Sequence, residues 1–203
     1  LNLIRHIAFV MVLASAGILC AADKPSVLLI GDSISIGYTQ GVTDGLKNVA
    51  TVKHHAGNAE HTRTGLKKID EWLGDTKWTV IHFNWGLWDL VNGGTEVPVK
   101  EYGENLEKLV ERLQKTGATL IFATTTPVPE VNGRKRRNAD VVAYNELAVG
   151  IMNKHGIKVN DLYAAAKPNL ATWQMKDNVH FQPAGSEGLA KKVVESIQES
   201  LKK

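Results

Sequence analysis

The sequence predicts an α/β protein in three layers, with helices on both faces of a central parallel sheet of about five strands. Three observations predict it. Short runs rich in Val, Ile and Leu alternate with segments of helical periodicity along the 203-residue chain. Several of those runs are too continuous for strands with one wet face, which points to a sheet covered on both sides. The alternation itself implies right-handed crossovers between parallel neighbours. No internal repeat, low-complexity tract or long linker divides the chain.

Residues 1–22 read as a secretory leader outside the folded domain, which is expected over 23–203. Arg5 supplies the positive start, Ile7 to Leu19 the apolar stretch, and "CAAD" a small-residue cleavage site after Ala22. The apolar stretch is short for a membrane span. Cys20 offers an alternative lipid-anchor reading, although Leu19 stands where a small residue is usual. Removing the leader takes one of the 24 basic residues and none of the 21 acidic ones, leaving a net charge of +2. That is too slight to argue for nucleic acid or a membrane surface. The single cysteine leaves with the leader, so no thiol nucleophile or disulfide remains. The expected location is periplasmic or extracellular.

The first strand is Val27–Ile30, stopped by Gly31, and the chain then reads onward as a helix start. The second strand is expected over Val49–Lys53, followed by a short helical stripe of Leu66, Ile69 and Leu73. Thr79–Phe83 is the third strand. Tyr102, Leu106, Leu109, Val110 and Leu113 then recur on one helical face, with Gly117 as the stop. Thr119–Ala123 and Ile157–Val159 complete the strands. A last helix begins near Pro183 and carries Leu189, Val193, Val194 and Ile197.

Ligands of such sheets bind outside the carboxyl ends of the strands. Ser33, Asn84 and "TTTPVPE" at 124–130 all stand there. Ser33 has two readings. It is an N-cap, as most serines before helices are, or it is a nucleophile, which needs a base and a group to orient that base. "KDNVHFQPAG" supplies candidates for both: Asp177 lies three residues before His180, near enough on a loop to accept the imidazole Nδ1–H. Read singly, these two are a helix-capping carboxylate and a half-buried imidazole.

"GDSIS" near the start of the domain and "DNVHF" near its end together resemble the SGNH (GDSL-type) esterase and acylhydrolase family, over residues 27 to about 195. The resemblance implies a flavodoxin-like sandwich. It implies Ser33 as nucleophile, His180 as general base and acid, and Asp177 as its orienter, with no cofactor and no metal. Two middle blocks transfer less directly. The family's oxyanion-hole glycine maps to Gly57, with Asn58 and Glu60 close enough to leave the register open. The block usually written G-x-N-D reads Gly86, Leu87, Trp88, Asp89, so tryptophan stands in the asparagine slot. The expected oxyanion donors are therefore Ser33 and Gly57, with Trp88 or Asn84 replacing the missing amide.

Asp32, Asn58, Trp173 and Arg134 are the candidate substrate contacts. Arg134 opens a run of four cations, "RKRR", which raises an anionic carbohydrate as substrate. Trp72 and Trp78 read as core. His54, His55, His61 and His82 lack the spacing and companion carboxylates of a metal site. "GDSISIG" has neither the lysine of a phosphate-binding loop nor the spacing of a dinucleotide loop. The expected partner is a small-molecule or polysaccharide ester with a short acyl group, acetyl in the first place; lipid acyl-ester or thioester hydrolysis, and a non-catalytic carbohydrate-binding protein on the same fold, are the alternatives.

Overall fold

A computed structural model describes residues 24–91, 96–130 and 136–202. The leader and the Cys20 reading lie outside the described residues. The elements run β1 (Ser26–Ile30), α1 (Ser33–Leu46), β2 (Thr51–His54), α2 (Thr62–Leu73), β3 (Val80–Phe83), α3 (Val99–Gln114), β4 (Thr119–Ala123), α4 (Asn138–Lys154), β5 (Lys158–Asn160), α5 (Leu162–Ala166), α6 (Leu170–Trp173) and α7 (Pro183–Leu201). The five strands form one parallel sheet in the order β2-β1-β3-β4-β5. This is the flavodoxin-like order, whose direction of winding reverses at β1 and β3.

Burial on both faces explains the unbroken apolar runs. Val27 and Leu29 of β1 face one cluster with Tyr38, Val42 and Leu46 of α1 and Leu189, Val193 and Ile197 of α7. Leu28 and Ile30 face the other, with Ile69 and Trp72 of α2, Leu106 and Leu109 of α3, and Val141 and Ala148 of α4. This is the period-two alternation of a strand, with apolar partners on both sides. Trp72 and Trp78 are both in the second cluster, as core residues.

Three strands start later than the sequence suggests, β3 by one residue, at Val80. β2 begins at Thr51, because the amides of Val49 and Ala50 turn back to Leu46 O and close the end of α1. β5 begins at Lys158, because the amide of Ile157 goes to Met152 O instead of the ladder. α4 was not expected at all. Its stripe is blurred by exposed Val142 and by buried Asn145, whose side chain holds Thr125 through both amide groups.

The pairing of α1 with α7 fixes the site. Gly37, Gly41 and Gly45 recur every four residues on α1 and lie against Ser186, Ala190 and Val194, which recur every four residues on α7. A Cβ built at Gly41 would fall 2.7 Å from that of Ala190, and one at Gly45 2.7 Å from Val194 Cγ2. The helices therefore run side by side in the same direction, closer than side chains on both would permit. Their first turns are brought level, one carrying Ser33 and the other preceded by His180.

Candidate active site

At the exit of β1 the helix cap is Asp32, not Ser33. Its Oδ1 accepts the Ile34 amide at 2.9 Å, and its backbone oxygen accepts the Ser35 hydroxyl at 2.7 Å. Asp32 is buried, and burial pushes its carboxyl above the ordinary aspartate range. One of its carboxylate oxygens is engaged at the head of α1, and the residue also lines a small cavity there. Ser33, the first residue of α1, is released from capping. Its Oγ lies 2.9 Å from His180 Nε2, across 147 residues of sequence.

His180 sits on a short loop closed at its base. Gln174 and Phe181 form an antiparallel bridge, Met175 N–H donates to His180 O at 2.9 Å, and Gln174 Nε2 donates to Pro127 O at 2.8 Å. The ring's other nitrogen departs from the expected arrangement. His180 Nδ1 is 2.8 Å from Asn178 Oδ1, and the same oxygen accepts the His180 backbone N–H at 3.2 Å. Asp177, expected to hold Nδ1, is exposed and adopts a left-handed conformation with φ of 54°. It is the next side chain, from Asn178, that meets the ring at Nδ1.

The two middle loops flank this pair. The segment after β2 is anchored to the β1 exit: Ala59 N–H donates to Gly31 O at 3.0 Å, and His55 Nε2 lies 2.9 Å from the same oxygen. Gly57 is exposed, with φ of 78°, a conformation that favours glycine. Asn58 Oδ1 is turned inward to the Glu60 amide at 2.8 Å, and Glu60 is itself left-handed with φ of 51°. The loop after β3 is tied to the same region by buried Asp89, whose Oδ1 accepts both the Thr62 amide at 2.9 Å and the Thr62 hydroxyl at 2.6 Å. Burial raises the Asp89 pKa to about 6.

Of the two donors expected to stand in for the missing amide, Asn84 is committed elsewhere. Its Nδ2 donates to Ala123 O at 2.7 Å and to Thr125 Oγ1 at 3.2 Å, which uses both hydrogens to tie β3 to β4. Trp88 is half-buried in the turn after β3. Trp173 is corrected to a packing residue: it abuts Gly185 and Gly188 of α7, where a Cβ at Gly188 would fall 2.3 Å from the indole. Arg134 lies outside the described residues. Of the cations beside it, Arg137 pairs with Asp140 at 2.6 Å, whereas Arg136 donates from Nε to Leu87 O at 2.8 Å and its charge acts on Asp32.

The histidines have structural partners. His61 caps α2 through the Thr64 amide, His54 Nε2 meets Ser35 Oγ at 2.7 Å, and His82 is buried against Asn160. Burial lowers His54 to about 4 and His82 to about 3. Sequence reasoning missed Asn178 and Arg136 as neighbours of the site. The first stands one position from the residue that motif spacing selects. The second was hidden inside a charge run.

A serine hydroxyl on an imidazole, at the carboxyl end of a five-stranded parallel sheet, is an arrangement for acyl transfer. The description GDSL-like Lipase/Acylhydrolase family belongs to a family model that matches residues 29–187. The chain belongs to this family. It is an esterase or acylhydrolase of the SGNH type. A GDSL esterase/lipase of Arabidopsis thaliana is 24% identical over 197 residues, covering 80% of this chain and 81% of the relative. The lipase/acylhydrolase from Enterococcus faecalis superposes with a TM-score of 0.76 at 22% identity, over 86% of this chain and 96% of that one. An acetylxylan esterase from Geobacillus stearothermophilus superposes with a TM-score of 0.71 at 18% identity, over 86% and 94%.

Proposed function

We propose that this SGNH hydrolase is an exported serine esterase that removes short acyl groups, chiefly acetyl, from carbohydrate. The observation that carries the chemistry is the 2.9 Å contact between His180 Nε2 and Ser33 Oγ. His180 takes the hydroxyl proton as Oγ bonds to the ester carbonyl carbon. The oxyanion so formed is met by the Ser33 and Gly57 backbone N–H groups, with the Trp88 indole N–H as third donor. His180 then protonates the alcohol oxygen as the C–O bond breaks. Water, deprotonated by the same imidazole, attacks the acyl-serine, and the carboxylic acid leaves as Ser33 regains its proton.

Two spaces near the carboxyl ends of the strands bear on the substrate. Between Asp32 and Ile34 on one side and Asn84, Leu87 and Thr124–Thr126 on the other, the cavity measures about 10 Å³. That is room for about one water molecule, so this cavity takes no long acyl chain. Beside the His180 loop an open groove of about 750 Å³ is lined by Val128, Pro129, Leu170, Met175, Lys176 and Gln182, among others. A lining that mixes apolar and hydrogen-bonding groups suits a sugar, which has apolar faces and a polar rim. The acetylxylan esterase among the fold relatives agrees with this reading. Export rests on the leader-like residues 1–22.

The test is a chain-length series on one alcohol, with acetate, butyrate and octanoate esters compared by kcat/KM, alongside acetylated xylo-oligosaccharides. Acetate is expected to be the best acyl group, and the oligosaccharide to have a lower KM than a simple alkyl acetate. A kcat/KM that rises steadily toward octanoate would instead identify a lipid esterase.

A further inference from the structure

We propose that Asn178, and not Asp177, is the positioning residue for His180, so that the imidazole is oriented by a neutral amide. This rests on the reading of Ser33 and His180 as the reacting pair. An amide can present either its oxygen or its NH2 to a neighbour. Here the orientation is decided by a donor of fixed identity: the His180 backbone N–H points at Asn178 Oδ1 from 3.2 Å. Since that end must be the oxygen, Nδ1, 2.8 Å away, must carry the ring proton. Nε2 is then left with its lone pair toward Ser33 Oγ. One side-chain oxygen therefore selects the tautomer a general base needs. It also fixes the ring to its own backbone.

Asp177 does not compete for this place. It is exposed, in the left-handed turn, and the Asn178 N–H donates to Met175 O at 3.2 Å, which locks the turn behind it. The consequence is electrostatic. In the family pattern, a carboxylate faces Nδ1 and favours the imidazolium that forms during attack. Asn178 supplies geometry without that charge. The charged groups around the ring are Asp32 at the entrance of α1, with Arg136 acting on Asp32 from before α4, and Lys176 and Asp177 on the loop itself.

Kinetics on p-nitrophenyl acetate across the pH profile, for the unaltered enzyme and for Asn178→Ala, Asn178→Asp, Asp177→Ala and Ser33→Ala, test the inference. Asn178→Ala should lower kcat by about 10- to 100-fold, the usual cost of an orienting partner, with a smaller change in KM. Asn178→Asp should restore activity at high pH and move the acid limb of kcat/KM upward by about one pH unit or more, because the new carboxylate favours the protonated ring. Asp177→Ala should cost less than Asn178→Ala. A greater loss from Asp177→Ala, or an unmoved acid limb in Asn178→Asp, overturns the proposal while Ser33→Ala remains inactive. If Ser33→Ala keeps full activity, the underlying serine-esterase reading fails instead.

Discussion

The glycine stripe on α1 is a device for placing Ser33 against His180, and substituting Gly41 by alanine tests it. The new Cβ would stand 2.7 Å from that of Ala190, where ordinary contact begins near 3.4 Å. Both atoms belong to short, rigid groups, so relief requires α7 to retreat from α1 by about 0.7 Å or more. Alanine raises helix propensity by about 0.5–1 kcal/mol over glycine, while forced overpacking costs about 1–3 kcal/mol. Gly150→Ala is the control, because Gly150 lies in α4 and a Cβ there meets nothing within 4 Å. Relative to that control, Gly41→Ala should be less stable by about 1–3 kcal/mol in urea unfolding. The retreat also separates the loop before α7 from the first turn of α1, lengthening the 2.9 Å contact. Misplacement of about 1 Å costs on the order of 100-fold, so a drop in kcat/KM of about 10- to 100-fold is expected. If Gly41→Ala matches Gly150→Ala in both stability and kcat/KM, the α1–α7 contact does not set the site.

Two further outcomes are expected. Asp89 is pushed to about 6 from an ordinary 3.8 by burial. The folded state thus holds its proton more tightly than the unfolded chain, a stabilisation fully present below about pH 4 and lost as pH rises through about 6. At about 1.4 kcal/mol per pH unit the loss is about 3 kcal/mol. Asp89→Asn, which keeps an oxygen for Thr62, should remove most of that pH dependence; urea midpoints that run parallel to the unaltered protein from about pH 4 to about pH 7 would contradict it. Arg136→Gln should raise KM for acetylated sugars bearing a carboxylate more than for neutral ones, since its charge acts beside Ser33 at Asp32. Equal effects on both substrates would remove the basic run from substrate selection.

The sheet was legible because strands buried on both faces leave runs such as "VLLI" and "TLIFA" that few other structures require. Edge strands were less so: β2 alternates exposed and half-buried residues, and its start was misplaced by two positions. α4 lacked a clean apolar stripe, and α6, four residues long, is too short to leave a period. That is why Trp173 looked available for a sugar, when the slot that takes it is made by Gly185 and Gly188 on a different helix. In the site, Ser33 and His180 could be picked out because both stand at helix entries in a known pairing. Asn178 could not, because it stands one position from the residue that motif spacing selects. Nor could Asn84 be assigned from sequence, since its partners Ala123 and Thr125 belong to the next strand's exit. The four-residue spacing of Gly37, Gly41 and Gly45 was visible, but its meaning depends on α7 lying alongside.

Covalent trapping of Ser33 is the most direct measurement of all. Incubation with a fluorophosphonate, followed by peptide mass mapping, should show one adduct on Ser33, absent in Ser33→Ala and strongly slowed in His180→Ala. An enzyme that hydrolyses acetyl esters at full rate while Ser33 stays unlabelled, or whose label is indifferent to His180, would contradict the account.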